Sequence, residues 1–186
     1  MDRCSWADPK DPLYLVYHDT EWGIPSHDDR HLFEMLILES FQAGLSWACI
    51  LHKREHFREA FDGFDPELVS RFTEDRVELL MQNKGIVRNR RKIYAAIGNA
   101  AVFLTIRDEF GSFSDYLWQF TKGEIIRYED GVIRTTSPLS DTISKDLKAR
   151  GMTFVGSTII YSYLQAVGVI DDHEPCCALY HRRKES

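Results

Sequence analysis

LFEMLILESFQAGLSW, running from Leu32 to Trp47, reads as two helices and the turn between them. On a helix, Leu32, Met35, Leu36 and Glu39 fall on one stripe and Phe33, Ile37 and Phe41 on another. A helix apolar on most of its faces is a buried helix. Asp28 or Asp29 can cap its start, Gly44 ends it, and Ser46 caps a second helix from Trp47 to about Phe61. The run is almost uniformly apolar, and Glu39 on its stripe is the informative departure. A buried carboxylate must find donors or a cation, or shift its pKa, because an unpaired buried charge is too unfavourable. Trp6, Tyr14, Tyr17, Trp22 and Trp47 lie nearby in sequence. A carboxylate among aromatic faces suits a flat, cationic or hydrogen-bonding ligand. The competing reading is a Glu at a helix end that turns outward or pairs with a basic side chain, although the helix dipole disfavours an acid in the last turn.

Working outward, most segments again read as helices. Asp65-Pro66 opens a short one, and Thr73 caps another through Met81. Arg91 to Arg107 is long and Ala-rich, and Ser112 or Ser114 caps a short aromatic helix to Phe120. Ile125 to Arg134 alternates weakly, as a loop or a small hairpin would. Ser140 caps a helix to Arg150, Gly151 breaks it, Gly156 closes the turn, and Ser157 to Val167 forms the next helix. The fold class is therefore all-α. No solenoid repeat or low-complexity linker interrupts it. The 186 residues fit one compact unit, with two sub-bundles conceivable: the chain ends around a metal, and the middle.

The hydrophobic fraction of 44% is enough for a real core, and no apolar run approaches membrane-spanning length. The N-terminus MDRCSW lacks an apolar signal core, so a cytoplasmic protein is expected. A net charge of −6 excludes a strongly charge-driven nucleic-acid binder but leaves room for local basic patches. RNRRK, Arg88 to Lys92, is one such patch; Lys145, Lys148 and Arg150 form another. Either also reads as a solvated helix end.

LKARGMTFVGST, Leu147 to Thr158, is helix, short turn, helix. The first N–H groups after Gly156 lack intrahelical partners, and with the helix dipole they suit an anion such as a DNA phosphate; Ser157 and Thr158 lie beside them. An ordinary helix–helix turn has the same appearance. NKGIVRNRRK, Asn83 to Lys92, repeats the logic with basic side chains. At the turn after Glu39, Gln42, Gly44 and Leu45 sit at an exposed junction where Leu or Gln could fill the gap left by an extruded base. Leu45 also suits the usual apolar contact of a Gly-ended helix.

The four cysteines are Cys4, Cys49, Cys176 and Cys177, and in a cytosolic chain they point to metal ligation or free thiols. Cys4 and His18 lie near one terminus, His173 and Cys177 near the other. Two Cys and two His make a closed tetrahedral zinc site, which is structural and would staple the two ends. The spacing matches no standard finger, free thiols and a packed imidazole fit equally, and Cys176 competes with Cys177. His27, His31, His52, His56 and His181 read as surface residues.

Taken together, RCSW (Arg3 to Trp6), DPLY (Asp11 to Tyr14), YHDTEWGIP (Tyr17 to Pro25), LESFQAGLSW (Leu38 to Trp47), GIVRNRRKI (Gly85 to Ile93), FVGSTIIYS (Phe154 to Ser162) and DDHEPCC (Asp171 to Cys177) make the chain resemble the type I 3-methyladenine DNA glycosylases of the helix-hairpin-helix superfamily. The resemblance covers nearly the whole chain. It implies an all-α DNA-repair enzyme that removes 3-methyladenine from alkylated double-stranded DNA. It implies one structural Zn2+ on Cys4, His18, His173 and Cys177, and a base pocket of Glu39, Tyr17 and Trp47 lined by Trp6, Tyr14 and Trp22. Asp171 and Asp172 follow the hairpin, where the superfamily often places a catalytic Asp, but this family is thought to lack that role. Glu39 is therefore expected to recognise the base and support positive charge developing on the sugar. No lysine nucleophile is expected, so the enzyme should be monofunctional. A monomer is expected, because the lesion is asymmetric. A non-catalytic damage binder and a zinc hydrolase are the competing functions.

Overall fold

The computed structural model describes residues 2–128 and 132–182, the side chains of 181 and 182 excepted. Of the basic tail, Arg183, Lys184 and the side chain of Arg182 lie outside the described residues, as does the middle of the Ile125–Arg134 segment.

The architecture is helical, with α1 (Pro12–Thr20), α2 (Asp29–Gln42), α3 (Trp47–Leu51), α4 (Arg54–Ala60), α5 (Pro66–Val69), α6 (Glu74–Gln82), α7 (Arg90–Phe110), α8 (Phe113–Trp118), α9 (Pro138–Ala149), α10 (Ser157–Ala166) and α11 (Ala178–Arg182). The helix starts follow local chemistry. Asp11, Asp28, Ser46, Asp65, Asn89 and Ser112 each accept a hydrogen bond from a first-turn N–H of the helix they precede. Pro12 and Pro66 stand in first turns, where their missing N–H is no loss.

α2 is the axis of the molecule. Every residue from Leu32 to Phe41 is buried, and the helix packs against α10, α7, α8 and α3. Phe33 meets Phe103 of α7 edge-on at 5.0 Å, and Phe103 stacks on Phe113 of α8 at 4.1 Å. Truncating such a buried ring to Ala costs about 3–5 kcal/mol. α9 and α10 pack on each other across the turn at Gly151–Gly156.

Four details differ from the sequence reading. The helix after Ser46 is broken at His52 and Lys53 into α3 and α4, and Arg54 at the start of α4 turns inward to donate to Glu34 and Glu21. α9 is capped by Ser137, not Ser140, because Pro138 occupies the first helical position; Ser140 completes a reciprocal capping box three residues on. Thr73 precedes α6 without a side-chain cap bond. The described start of the Ile125–Arg134 segment pairs with a distant part of the chain. Its Ile126–Arg127 forms β1, paired in parallel with β2 (Ile170–Asp171), with Ile126 opposite Ile170.

β2 follows α10 and leads into the C-terminal segment, which lies against the N-terminal one. The Ala178 N–H donates to Asp2 O at 2.9 Å, and Ser5 donates through its backbone and Oγ to the Glu174 carboxylate at 2.8 and 2.6 Å. Among the described residues no helix is long and apolar enough to cross a membrane.

Candidate active site

Two acids share α2 and have opposite surroundings. Glu34, 6% exposed, receives hydrogen bonds from Arg54 and Arg58, both at 2.7 Å. Glu39, 4% exposed, has an Oε2 with no hydrogen-bond partner. Burial pushes the Glu39 carboxyl up to about 8, so its charged form is held ready but unfavourable. Glu39 lines a cavity of about 390 Å³, large enough for a nucleobase-sized ring.

The cavity walls are aromatic. Trp6, Tyr14, Tyr17, Trp22 and Trp47 all line it. Trp6 lies 5.3 Å from Tyr14 and 4.8 Å edge-on from Trp22, and Tyr17 lies 5.3 Å from Trp47. Burial, then the nearness of Glu39, pushes the Tyr17 hydroxyl well above its ordinary value, so it stays a donor. Tyr14 shifts the same way for the same two reasons.

Lining residues not singled out in the sequence include Tyr128, Ser162 and Gln165, and Asp172, noted there only as following the hairpin, lines the cavity too. The Asp172 carboxylate accepts from Tyr161 Oη at 2.9 Å and Gln165 Nε2 at 2.8 Å. A signal for two of these was available. Thr158, Ser162 and Gln165 recur at intervals of four and three on α10, whose other positions are largely apolar, and so mark one polar stripe.

Glu39 also borders a second, smaller cavity of about 170 Å³ between the end of α2 and the start of α10. Gln42, Gly44, Leu45 and Thr158 line it. Gly44 adopts φ +80, which a side-chain-bearing residue resists, and Leu45 is 41% exposed at the tip of this turn. Gly156 and Ser157 lie at the N-terminal end of α10, where Ser157 Oγ is hydrogen-bonded to Asp141 and Ser140. A methyl group added at Gly156 would meet nothing within 4 Å, so the protein itself does not require a glycine there.

Behind the aromatic wall, Cys4, His18 and Cys177 are buried with their ligand atoms all within 4.8 Å of one another. His173 completes the neighbourhood, its ring 5.5 Å from that of His18. His18 Nδ1 pairs with Asp19 at 2.9 Å and His173 Nδ1 with Asp171 at 2.6 Å, which favours the tautomers with the lone pair on Nε2. Amide N–H groups of Glu174 and Leu179 donate to the Cys4 and Cys177 sulfurs, both at 3.4 Å. Cys176 is exposed, its thiol directed to Glu174. Burial pushes the Cys4 thiol upward, as expected for a site in which only a cation would hold the thiolate. The cluster and the cavity share walls: Trp22 lies 4.7 Å from His173, and Trp6 lies 5.1 Å from His18.

The basic patches are smaller than the sequence suggests. Arg90 pairs with Glu74 and Glu78, Arg150 with Glu109 and Asp146, and Lys92 is buried; Arg88, Arg91, Lys145 and Lys148 are exposed. His27, His52 and His56 are exposed, whereas His31 is half-buried between Ser26 and Glu21; the side chain of His181 lies outside the described residues.

A buried carboxylate at the wall of an aromatic cavity has the chemistry that suits a flat, electron-poor ring. The chain belongs to the methyladenine glycosylase family, whose model matches residues 6–181. It is 45% identical to DNA-3-methyladenine glycosylase 1 of Escherichia coli (strain K12), over 99% of this chain and 100% of that protein. A crystal structure of a 3-methyladenine DNA glycosylase I superposes with a TM-score of 0.91 at 46% identity, covering 95% of this chain and 98% of the other. A structure of the Staphylococcus aureus 3-methyladenine DNA glycosylase I, solved for the basis of 3-methyladenine recognition, gives a TM-score of 0.90 at 38% identity over 95% of each chain.

Proposed function

We propose that the chain is a monofunctional DNA glycosylase of base-excision repair. It takes 3-methyladenine out of alkylated duplex DNA into the cavity beside Glu39 and hydrolyses its N-glycosidic bond. The observation that carries this reading is the unpartnered, buried Oε2 of Glu39 at the wall of an aromatic cavity. The names of the relatives support the same substrate.

N3-methylation makes adenine cationic and weakens its bond to the sugar. The faces of Trp6, Trp22, Trp47 and the two tyrosines attract such a ring more than neutral adenine, which gives selection among flipped bases. Glu39, ionised by the arriving cation, accepts hydrogen bonds from the base edge and stabilises positive charge on the sugar as the bond breaks. The base leaves with the bonding electron pair, which neutralises its own charge, so no proton donor to the leaving group is required. Water supplies the new C1′–O bond. Among the described lining residues there is no lysine, so no Schiff base forms and the strand stays intact.

On the DNA side, the turn of Gln42, Gly44 and Leu45 enters the gap left by the base. α9, its turn and α10 act as the helix-hairpin-helix element, with the backbone at Gly156, Ser157 and Thr158 receiving a phosphate. Cys4, His18, His173 and Cys177 would hold one zinc ion, which supplies a structural link between the chain ends behind the pocket. Removing it by chelation is expected to lower the melting temperature, and an unchanged one in zinc-free protein would count against these ligands. The enzyme would act as a monomer in the cytoplasm.

The deciding experiment incubates the protein with methylated duplex DNA and identifies released bases by chromatography. Free 3-methyladenine, with the strand unbroken until alkali is added, is expected. Tight binding to the methylated duplex without base release would instead make the protein a damage binder.

A further inference from the structure

Lys92 belongs to the basic run RNRRK, yet it is only 6% exposed. Its Nζ donates to the carbonyl oxygens of Phe41 at 2.7 Å and Ala43 at 2.6 Å, and sits 6.0 Å from the centre of the Phe154 ring. Those carbonyls close α2, where the backbone leaves its helical conformation at Ala43 (φ −46, ψ 114). Burial lowers the pKa of Lys92, so desolvation opposes the charge. The two carbonyls and the negative end of the α2 dipole offset that penalty. Simple space-filling at this position would be better served by an apolar side chain. The same turn continues through Gly44 to the exposed Leu45, whose N–H donates to Gln42 O at 2.6 Å.

We infer that Lys92 is a positioning residue for base excision: from the first turn of α7 it fixes the end of α2, so that the Gln42–Leu45 turn stands preformed to enter the duplex. This rests on the reading that the turn enters DNA. A preformed wedge loses no ordering entropy on binding, and of the turn only Gln42 lines the base cavity, whose aromatic walls come from Trp6, Tyr14, Tyr17, Trp22 and Trp47.

Lys92→Met keeps an unbranched side chain one atom shorter and removes the charge. Two quantities are compared with wild type: single-turnover release of 3-methyladenine from methylated duplex, and binding of free 3-methyladenine measured by quenching of tryptophan fluorescence. Duplex excision should fall roughly 10–100-fold, the penalty of a misplaced reacting geometry, while free-base binding is unchanged. Lys92→Arg should lie between the two proteins. Loss of both readouts in equal proportion would overturn the inference, since a general core role predicts that. Wild-type excision by Lys92→Met would also overturn it, provided Leu45→Ala is impaired. If Leu45→Ala excises normally, the wedge reading itself fails. Should Lys92→Met not fold, the same split is read on Lys92→Arg alone.

Discussion

Glu34 and Glu39 lie five positions apart on one helix, equally buried, and the protein treats them oppositely. Glu34 is held by two arginines, one of which, Arg54, also donates to both oxygens of Glu21. That cluster ties α2 to α4 and to the chain just after α1. Among the described residues no ion pair holds Glu39, its Oε2 has no hydrogen-bond partner, and it faces a cavity. A buried acid with its charge matched belongs to the fold. A buried acid left unmatched is retained against stability, which marks it as kept for a ligand.

Exchanging each acid for its amide tests that division, and the largest effect should come from Glu39→Gln. Losing the carboxylate should slow single-turnover excision about 10²–10³-fold, the range for removing one preorganised electrostatic group. The melting temperature near neutral pH should hold or rise, because the amide does not have to take up the proton that folding imposes on the Glu39 carboxylate. Excision at the wild-type rate would break the comparison on its functional side. Glu34→Gln should do the reverse. It removes the carboxylate shared by Arg54 and Arg58, which keep only Glu21 and the exposed Glu55, so denaturant unfolding should show a loss of at most about 3 kcal/mol, with excision per folded molecule intact. A stable Glu34→Gln with impaired excision would mean that the arginine cluster, too, serves the site.

The pH dependence sharpens the same contrast. Between the ordinary Glu value of 4.5 and the folded value of about 8, the native state keeps on Glu39 a proton that the unfolded chain has lost. The unfolded state then binds fewer protons, so stability falls as pH rises through that window and levels off above it. Excision under kcat/KM conditions should rise across the same window, as the carboxylate becomes available to a cationic base. Both slopes attributable to this group should vanish in Glu39→Gln. A wild-type excision profile that is flat from pH 5 to 8, set here as the experimental range about the carboxylate titration, would show that the ionised form is not what the substrate uses.

How far the sequence led follows from where its signals are local. The apolar run of α2, the Gly44 break and the helix after Gly156 are written in short-range periodicity and capping, and they form where the residues put them. The α3–α4 break is not local: Arg54 reaches Glu21 and Glu34, 33 and 20 residues away. β1 and β2 are two-residue strands 44 residues apart in register, too short for any alternation to show. α1 was legible but unread, since Asp11-Pro12 is the same opening signal as Asp65-Pro66. At the site, the odd polar residue in an apolar helix was the productive clue for Glu39. The same clue on α10, at Ser162 and Gln165, went unused because hydroxyls and amides stand out less than a charge. The drawing-in of Lys92 and pairing of Arg90 could not be seen in a run of like charges, because only the fold decides which of them meet carbonyls or acids.

Two glycines repeat the lesson on the backbone, and the second carries the smallest expected effect. Gly168 adopts φ +75, and a Cβ there would come within 2.3 Å of the Ile24 and Pro25 backbone, so Gly168→Ala should unfold or strongly destabilise the protein. Gly156 has an ordinary φ of −62 and open space where its Cβ would be. Nothing inside the protein explains that glycine, whereas a phosphate brought against the first amides of α10 would. Gly156→Ala should therefore leave the melting temperature unchanged or raise stability by about 0.4–1 kcal/mol, and weaken binding to duplex DNA by about 1 kcal/mol through the lost close approach. Fluorescence anisotropy against an undamaged duplex isolates this term from the base pocket, because no base needs to be flipped to measure it. If Gly156→Ala binds that duplex as wild type does, the amides of α10 carry no phosphate, and the exposed Arg88 and Arg91 at the start of α7 are the next side to substitute.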